Sequence, residues 1–206
     1  MSNFKYGAIG AAGLALLFTV AAASAQETQP TRVRGTIEKV DGATLAIKTR
    51  EGPTVTVKLT DNATITGVAK AMLSDVKQNS FIGITAMPQP DGTQKAIEVH
   101  IFPEARRGAG EGYRPWDLVP SSTMTNANVE QLVTSVDGPM LTMKYKEGEK
   151  KISVPNNATI VQFVNGDKAD LKPGAKVFIG AVTKLPDGSF QAAGINVGKD
   201  GVTPPM

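Results

Sequence analysis

His100 is the only histidine in a chain of 206 residues that has no cysteine, so any chemistry that needs an imidazole has to run through it. The segment Ile97-Glu98-Val99-His100-Ile101 reads as a strand. Successive strand side chains point to opposite faces, so Ile97, Val99 and Ile101 take the inner face and leave Glu98 and His100 together on the outer one. Glu104 follows within a few residues, with Glu111 and Asp117 farther along. An imidazole nitrogen with carboxylates is a donor set that a divalent cation accepts, which makes Glu98, His100 and Glu104 the candidate metal ligands. The plainer expectation for the same residues is a surface strand histidine in ordinary hydrogen bonds, with no metal or other cofactor.

Other motifs are weaker. Gly108-Ala109-Gly110-Glu111-Gly112 resembles a phosphate-binding glycine loop, but Tyr113 stands where the dinucleotide fingerprint needs glycine and no P-loop lysine follows, so it reads as a hinge. Met140 and Met143 are three apart on an expected strand. They face opposite sides and cannot converge on one copper ion, which makes Met143 a core residue. There is no Gly-x-Ser-x-Gly elbow and no His-Glu-x-x-His helix, and the single histidine would have to serve every general-base role. These counts point away from an enzyme. Nucleic acid is also disfavoured, because 22 basic and 19 acidic residues are scattered along the chain rather than gathered into a basic face.

The strand that carries His100 leads into a connector of about 26 residues, 103–128, which is long for a loop without structure in a compact domain unless it packs or binds. It carries the only tryptophan, Trp116, and Pro103, Pro115 and Pro120 stiffen its path. Tyr113, Arg114, Trp116, Asp117 and Leu118 are the candidate interdomain or partner contacts. The Trp116 ring is expected to pack against the flanking domains with its indole N–H hydrogen-bonded. Arg106, Arg107, Glu111 and Gly108 to Gly112 are expected to stay in solvent.

The elements on either side of the connector are strands. Asp41-Gly42 and Pro90-Asp91-Gly92 are hairpin signals. Alternation at Leu45 and Ile47, and again at Val55, Val57 and Leu59, marks half-buried strands. Ala69 to Leu73 has a helical composition. Three strands, a short helix and two strands give the order of a five-stranded Greek-key barrel of the OB type. The same plan returns about 96 residues later: Val40-Asp41-Gly42 as Val136-Asp137-Gly138, Asn62-Ala63-Thr64-Ile65 as Asn157-Ala158-Thr159-Ile160, Phe81-Ile82-Gly83 as Phe178-Ile179-Gly180, and Pro90-Asp91-Gly92 as Pro186-Asp187-Gly188. The expected architecture is all-β: two tandem small five-stranded OB-like Greek-key barrels, 33–102 and 129–198, joined by the ordered connector 103–128.

At the N-terminus, Lys5 precedes an apolar run from Ala8 to Val20 and Ala23-Ser24-Ala25 follows it, the pattern of a cleaved secretory signal over 1–25. A flexible leader, 26–32, precedes the first repeat, and a tail, 199–206, follows the second. Nothing in the mature chain is apolar for long enough to span a bilayer. Export without cysteine means that no disulfide staples the fold, so the core must hold it.

The repeated unit, together with the stretch Glu98 to Asn126 that contains most of the connector, resembles a family of exported bacterial proteins built from a domain of unknown function, whose members often carry the label metal ABC transporter permease. The resemblance covers nearly all of the mature chain. It implies export and a tandem β-domain, and it brings no catalytic residue. The permease label does not suit this chain, since a permease needs several spans. The reading is therefore a periplasmic or secreted, non-enzymatic binding or assembly module whose partner is an unidentified periplasmic protein or cell-envelope ligand. A metal-handling accessory protein using His100 and nearby carboxylates is the alternative, and a carboxylate-dependent hydrolase is the second.

Overall fold

A computed structural model describes residues 31–135 and 138–205. The expected signal segment, residues 26–30 of the leader, and the Val136-Asp137 part of the second hairpin lie outside them. The described chain is all-β. Its strands are β1 (Thr31–Asp41), β2 (Thr44–Thr49), β3 (Thr54–Lys70), β4 (Phe81–Pro88), β5 (Gln94–Ile101), β6 (Gly112–Pro115), β7 (Thr123–Ser135), β8 (Gly138–Tyr145), β9 (Gly148–Ser153), β10 (Thr159–Asn165), β11 (Lys176–Lys184) and β12 (Phe190–Gly198). No helix of the described residues is long and apolar enough to cross a membrane.

β1, β2, β3, β12 and β11 close a five-stranded barrel. Four antiparallel or parallel contacts run from β11 through β1, β2 and β3 to β12, and β12 returns to β11. Alternate residues fill it: Val33, Ile37, Leu45, Ile47, Val57, Ile179, Ile195 and Val197 form one buried cluster. The tight turn between β1 and β2 needs Gly42, whose φ of +57° suits glycine. The remaining strands pair in the order β5–β4–β7–β8–β9, and a two-residue contact between β5 and β9 brings the ends of that set together. Ile82, Ile84, Val99, Val129, Leu141, Met143 and Ile152 form its core, so Met143 is buried as its strand position requires.

The strands do not sort by position along the chain. The closed barrel takes β1 to β3 from the first half and β11 and β12 from the second; the other set takes β4 and β5 from the first half and β7 to β9 from the second. The two sequence units therefore do not each fold into a barrel of their own. Hydrogen-bonded edges are what decide this, and an alternating pattern that buries one face of a strand leaves the identity of its neighbours open.

The bridge between the two sets is built from β3 and β10. β3 runs unbroken for 17 residues, whereas the matching stretch of the second half is split into β9 and β10. Pro155, which stands where the first half has Thr60, has no N–H to give a ladder and ends the pairing there. β10 pairs antiparallel with the end of β3, Phe163 opposite Val68, and parallel with β5, Val161 opposite His100. The expected helix at Ala69 to Leu73 is not formed. β3 continues to Lys70 and a single 3-10 turn covers Leu73–Asp75, because pairing with β10 outweighs a weak local preference.

Candidate functional site

The connector is ordered by strand pairing. Its β6 lies antiparallel to β7, with Gly112 opposite Asn126 and Pro115 opposite Thr123. Beyond β6 the backbone N–H of Trp116 donates to the Ser122 carbonyl at 2.8 Å, and the Ser122 hydroxyl bonds the Val119 carbonyl at 2.7 Å. These contacts turn the chain so that Trp116 meets the junction of the two strand sets, against Val68, Val161, Phe163 and Phe178.

Two arginines of β1 complete the clamp. In Arg32-Val33-Arg34 the valine enters the barrel core, which sends both arginines outward on one face. The Arg32 guanidinium stacks 4.1 Å from the Trp116 ring centroid, Arg114 lies 5.5 Å from it, and Arg34 covers Phe178 at 4.9 Å. Asp117 joins both arginines, at 3.1 Å to Arg32 and 2.7 Å to Arg34. Partial burial pushes the Asp117 carboxyl up, but the Arg34 hydrogen bond and the charges of Arg34 and Arg32 outweigh it and hold the group below its ordinary value. Trp116 itself is half-buried, and its indole N–H has no hydrogen-bond partner among the described residues, so the expected indole bond is not made. Stacking between guanidiniums holds the ring instead.

Glu98 and His100 share one face of β5, as alternation requires, but that face is not solvent. Both are buried, and the expected surface histidine is corrected accordingly. β10 lies along one edge of β5 and brings Phe163 over it, while Phe102 folds back from the other side: the two rings lie 5.5 and 5.1 Å from the imidazole centroid, both edge-on. Arg106 caps the cage, 4.7 Å over Phe163 and 5.6 Å over Phe102. Arg106 is thus half-buried and not solvated as expected, and Gly112 is buried as well. The Thr85 hydroxyl, across the ladder, donates to Glu98 Oε1 at 2.6 Å. Burial raises the Glu98 carboxyl from its ordinary 4.5 to about 7 against the Thr85 bond and the Arg34 charge. Burial also drives the His100 imidazole from 6.5 down to about 3, helped by the Arg106 and Arg114 charges. His100 Nδ1 lies 3.8 Å from Glu98 Oε1, a spacing that suggests an ion pair, but both shifts favour the uncharged forms. We read the contact as one between neutral groups.

Glu104 is not part of this cluster. It is exposed and ion-paired with Arg107, whose guanidinium also bonds Asn128 and the Asn79 carbonyl. Among the described residues no group of three or more histidine, cysteine, aspartate or glutamate side chains is placed to hold a metal ion. Tyr113 is exposed on β6, with the Lys150 ammonium 4.3 Å above its ring.

Leu118 leads from the clamp into a groove of about 1020 Å³ between the closed barrel and the end of β10. Arg50 fixes its position by donating to the Leu118 carbonyl at 3.3 Å. One side of the groove is formed by the outer face of β2, β1 and β11, the other by Ala71 to Leu73 and Val154 to Ile160, and Val202 to Pro205 close one end. Comparison with family models, curated proteins and solved structures yields no match. The site therefore has to be read from its own residues.

Arg32, Arg34 and Phe163 are not among the candidates that the sequence alone offers. The alternation of Arg32 and Arg34 about a core valine was a readable signal; Phe163 was not, because nothing local says that β10 lies beside β5. Trp116→Ala should lower stability by about 2 kcal/mol in urea unfolding, the loss of a half-buried ring and its cation–π contacts. Its emission, the only tryptophan signal of the chain, should lie between those of buried and free indole. A fully red-shifted, freely quenched emission in the folded protein would show that the clamp does not form.

Proposed function

We propose that the protein is an exported, non-enzymatic binding module of two OB-like barrels, arisen by duplication, whose connector fixes the junction and whose ligand seat is the groove beside it. What supports this reading is the groove. At about 1020 Å³ it is as large as pockets that take small molecules, about 300–1,000 Å³. It is built from segments far apart in sequence that the clamp at Trp116 and Asp117 holds together. Its lining offers apolar groups and cations, which hold a ligand, rather than a histidine or carboxylate positioned for proton transfer. The export reading places the ligand among molecules of the cell envelope, and the family resemblance agrees with that.

A thermal-shift screen of the mature chain against peptidoglycan fragments, oligosaccharides, amphiphiles and divalent metals tests the reading. A ligand at 100 times its Kd should stabilise by about 2.7 kcal/mol. Asn156→Trp, an exposed position on the groove wall, should project into the groove, obstruct it and abolish that shift without changing the unliganded melting temperature. A shift that survives the substitution intact places the ligand elsewhere and ends this reading.

A further inference from the structure

We propose that the groove binds a free single-chain amphiphile with an anionic head, of the fatty-acid type; this rests on the reading of the groove as the ligand seat. Its two walls differ in chemistry. Strand register sets the cationic wall: Lys48 pairs with Thr36 and Thr36 with Lys176, so the three side chains project in one row from the outer face of β2, β1 and β11. Two residues along the same face come Arg50 and Arg34, and Lys70 stands at the end of β3. Among the described residues no aspartate or glutamate lines the groove against these five cations. Arg34 is engaged by Asp117, Arg50 by Glu51 and Lys176 by the Thr36 hydroxyl. Among the described residues Lys48 and Lys70 make no ion pair.

The facing wall is mainly apolar, with Met72, Leu73, Val154, Pro155, Ala158 and Ile160 beside the uncharged Asn156 and Thr159. Met72 is 64% exposed there, a large apolar side chain left in water by the folded chain. A ligand that satisfies both walls needs an apolar chain along one and negative charge toward the other. A neutral apolar molecule would desolvate the ammoniums without partnering them, and a cationic one would be repelled. A polyanion such as nucleic acid would leave the apolar wall unused, and a bilayer surface is too flat to enter a concave seat.

Titration of the mature chain with dodecanoate below its micellar concentration, beside dodecyl maltoside, dodecyltrimethylammonium and phosphatidylglycerol vesicles, tests the proposal. Dodecanoate should bind about ten-fold or more tightly than the neutral and cationic amphiphiles, the scale of one charge-assisted contact. Lys48→Glu with Lys176→Glu should remove that preference, and Met72→Asp should weaken dodecanoate and maltoside alike. All three positions are exposed, so the unliganded melting temperature reports whether each variant is folded. Equal binding of dodecanoate and maltoside would overturn the anionic head while leaving the groove as ligand seat. Vesicle binding without dodecanoate binding would overturn the free ligand in favour of a membrane surface. If no amphiphile binds while Asn156→Trp still abolishes the shift given by another ligand, this proposal fails and the groove reading stands.

Discussion

With His100 replaced by glutamine, stability should fall by about 3 kcal/mol as pH rises from 4.5 to 7, and with Glu98 replaced by glutamine it should rise by about 5 kcal/mol between pH 3 and 6.5, where the wild type is flat from 4.5 to 6.5. The sign follows from proton counts. Glu98 has a folded value of about 7 against 4.5, so between those values the native state holds a proton that the unfolded chain has released, and the contribution of Glu98 to stability is lost as pH rises. His100 has a folded value of about 3 against 6.5, so between those values the unfolded chain holds the extra proton and stability is lost as pH falls. From about 4.5 to 6.5 the two cancel. The native pair is neutral, the unfolded pair is a carboxylate with an imidazolium, and both bind one proton. The wild type should therefore show no pH dependence from this pair across that window. Each substitution removes one side of the balance: His100→Gln leaves the descending limb of Glu98, and Glu98→Gln leaves a rise of about 5 kcal/mol between pH 3 and 6.5 from His100 alone. Glutamine at 98 keeps an acceptor for the Thr85 hydroxyl, so the comparison is not clouded by an orphaned donor. Urea unfolding at half-unit pH steps reads the result. Curves for both variants that run parallel to the wild type would mean that Glu98 and His100 are not a neutral buried pair.

The local parts of the fold were legible because turns and alternation are local physics. Asp41-Gly42, Pro90-Asp91-Gly92 and Pro186-Asp187-Gly188 each end at a glycine with positive φ, and β2 and the start of β3, Thr54 to Val57, follow the expected period of two, whereas the adjacent Gly67 and Val68 farther along β3 are both buried. Partner choice was not legible. β3 and β12 pair across more than a hundred residues, and no feature of Thr54 to Lys70 names β12 as its neighbour. The misreading of His100 has the same origin. Alternation placed it correctly on the face opposite Val99, but whether that face meets water depended on β10 and Phe102, which cover it from outside the local sequence. Trp116 was legible as a packing residue, since a lone tryptophan in a proline-stiffened connector has few other uses. Its stacking partners were legible only in part, through the Arg32-x-Arg34 spacing.

Gly83→Ala should destabilise the protein by about 3 kcal/mol, the upper end for overpacking in a core. Gly83 stands between His100 and Asn126 in the ladder of β5, β4 and β7. A Cβ there would lie 1.9 Å from His100 Nε2 and 2.6 Å from Asn126 Oδ1, and neither side chain is free to retreat. The imidazole is held edge-on by Phe102 and Phe163, and the Asn126 amide donates to the Ala109 carbonyl at 3.0 Å. The backbone of Gly83 is ordinary, without a positive φ, so the cost comes from crowding and not from strain in the chain. Gly180, which ends the matching Phe178-Ile179-Gly180, is the internal control. Its added Cβ meets only the Phe178 ring at 3.6 Å, an ordinary contact. Asn196, the counterpart of His100 about 96 residues on, pairs with Phe178 and not with Gly180, so the crowding found at Gly83 is not repeated. Gly180→Ala should therefore change stability by less than about 1 kcal/mol. His100→Ala opens space beside Gly83, and the double variant Gly83→Ala, His100→Ala should be more stable than the sum of the single costs by about 1–2 kcal/mol, as expected for residues that compete for one volume. Strict additivity in that cycle, or equal costs at Gly83 and Gly180, would show that the imidazole does not occupy the space that the missing side chain leaves.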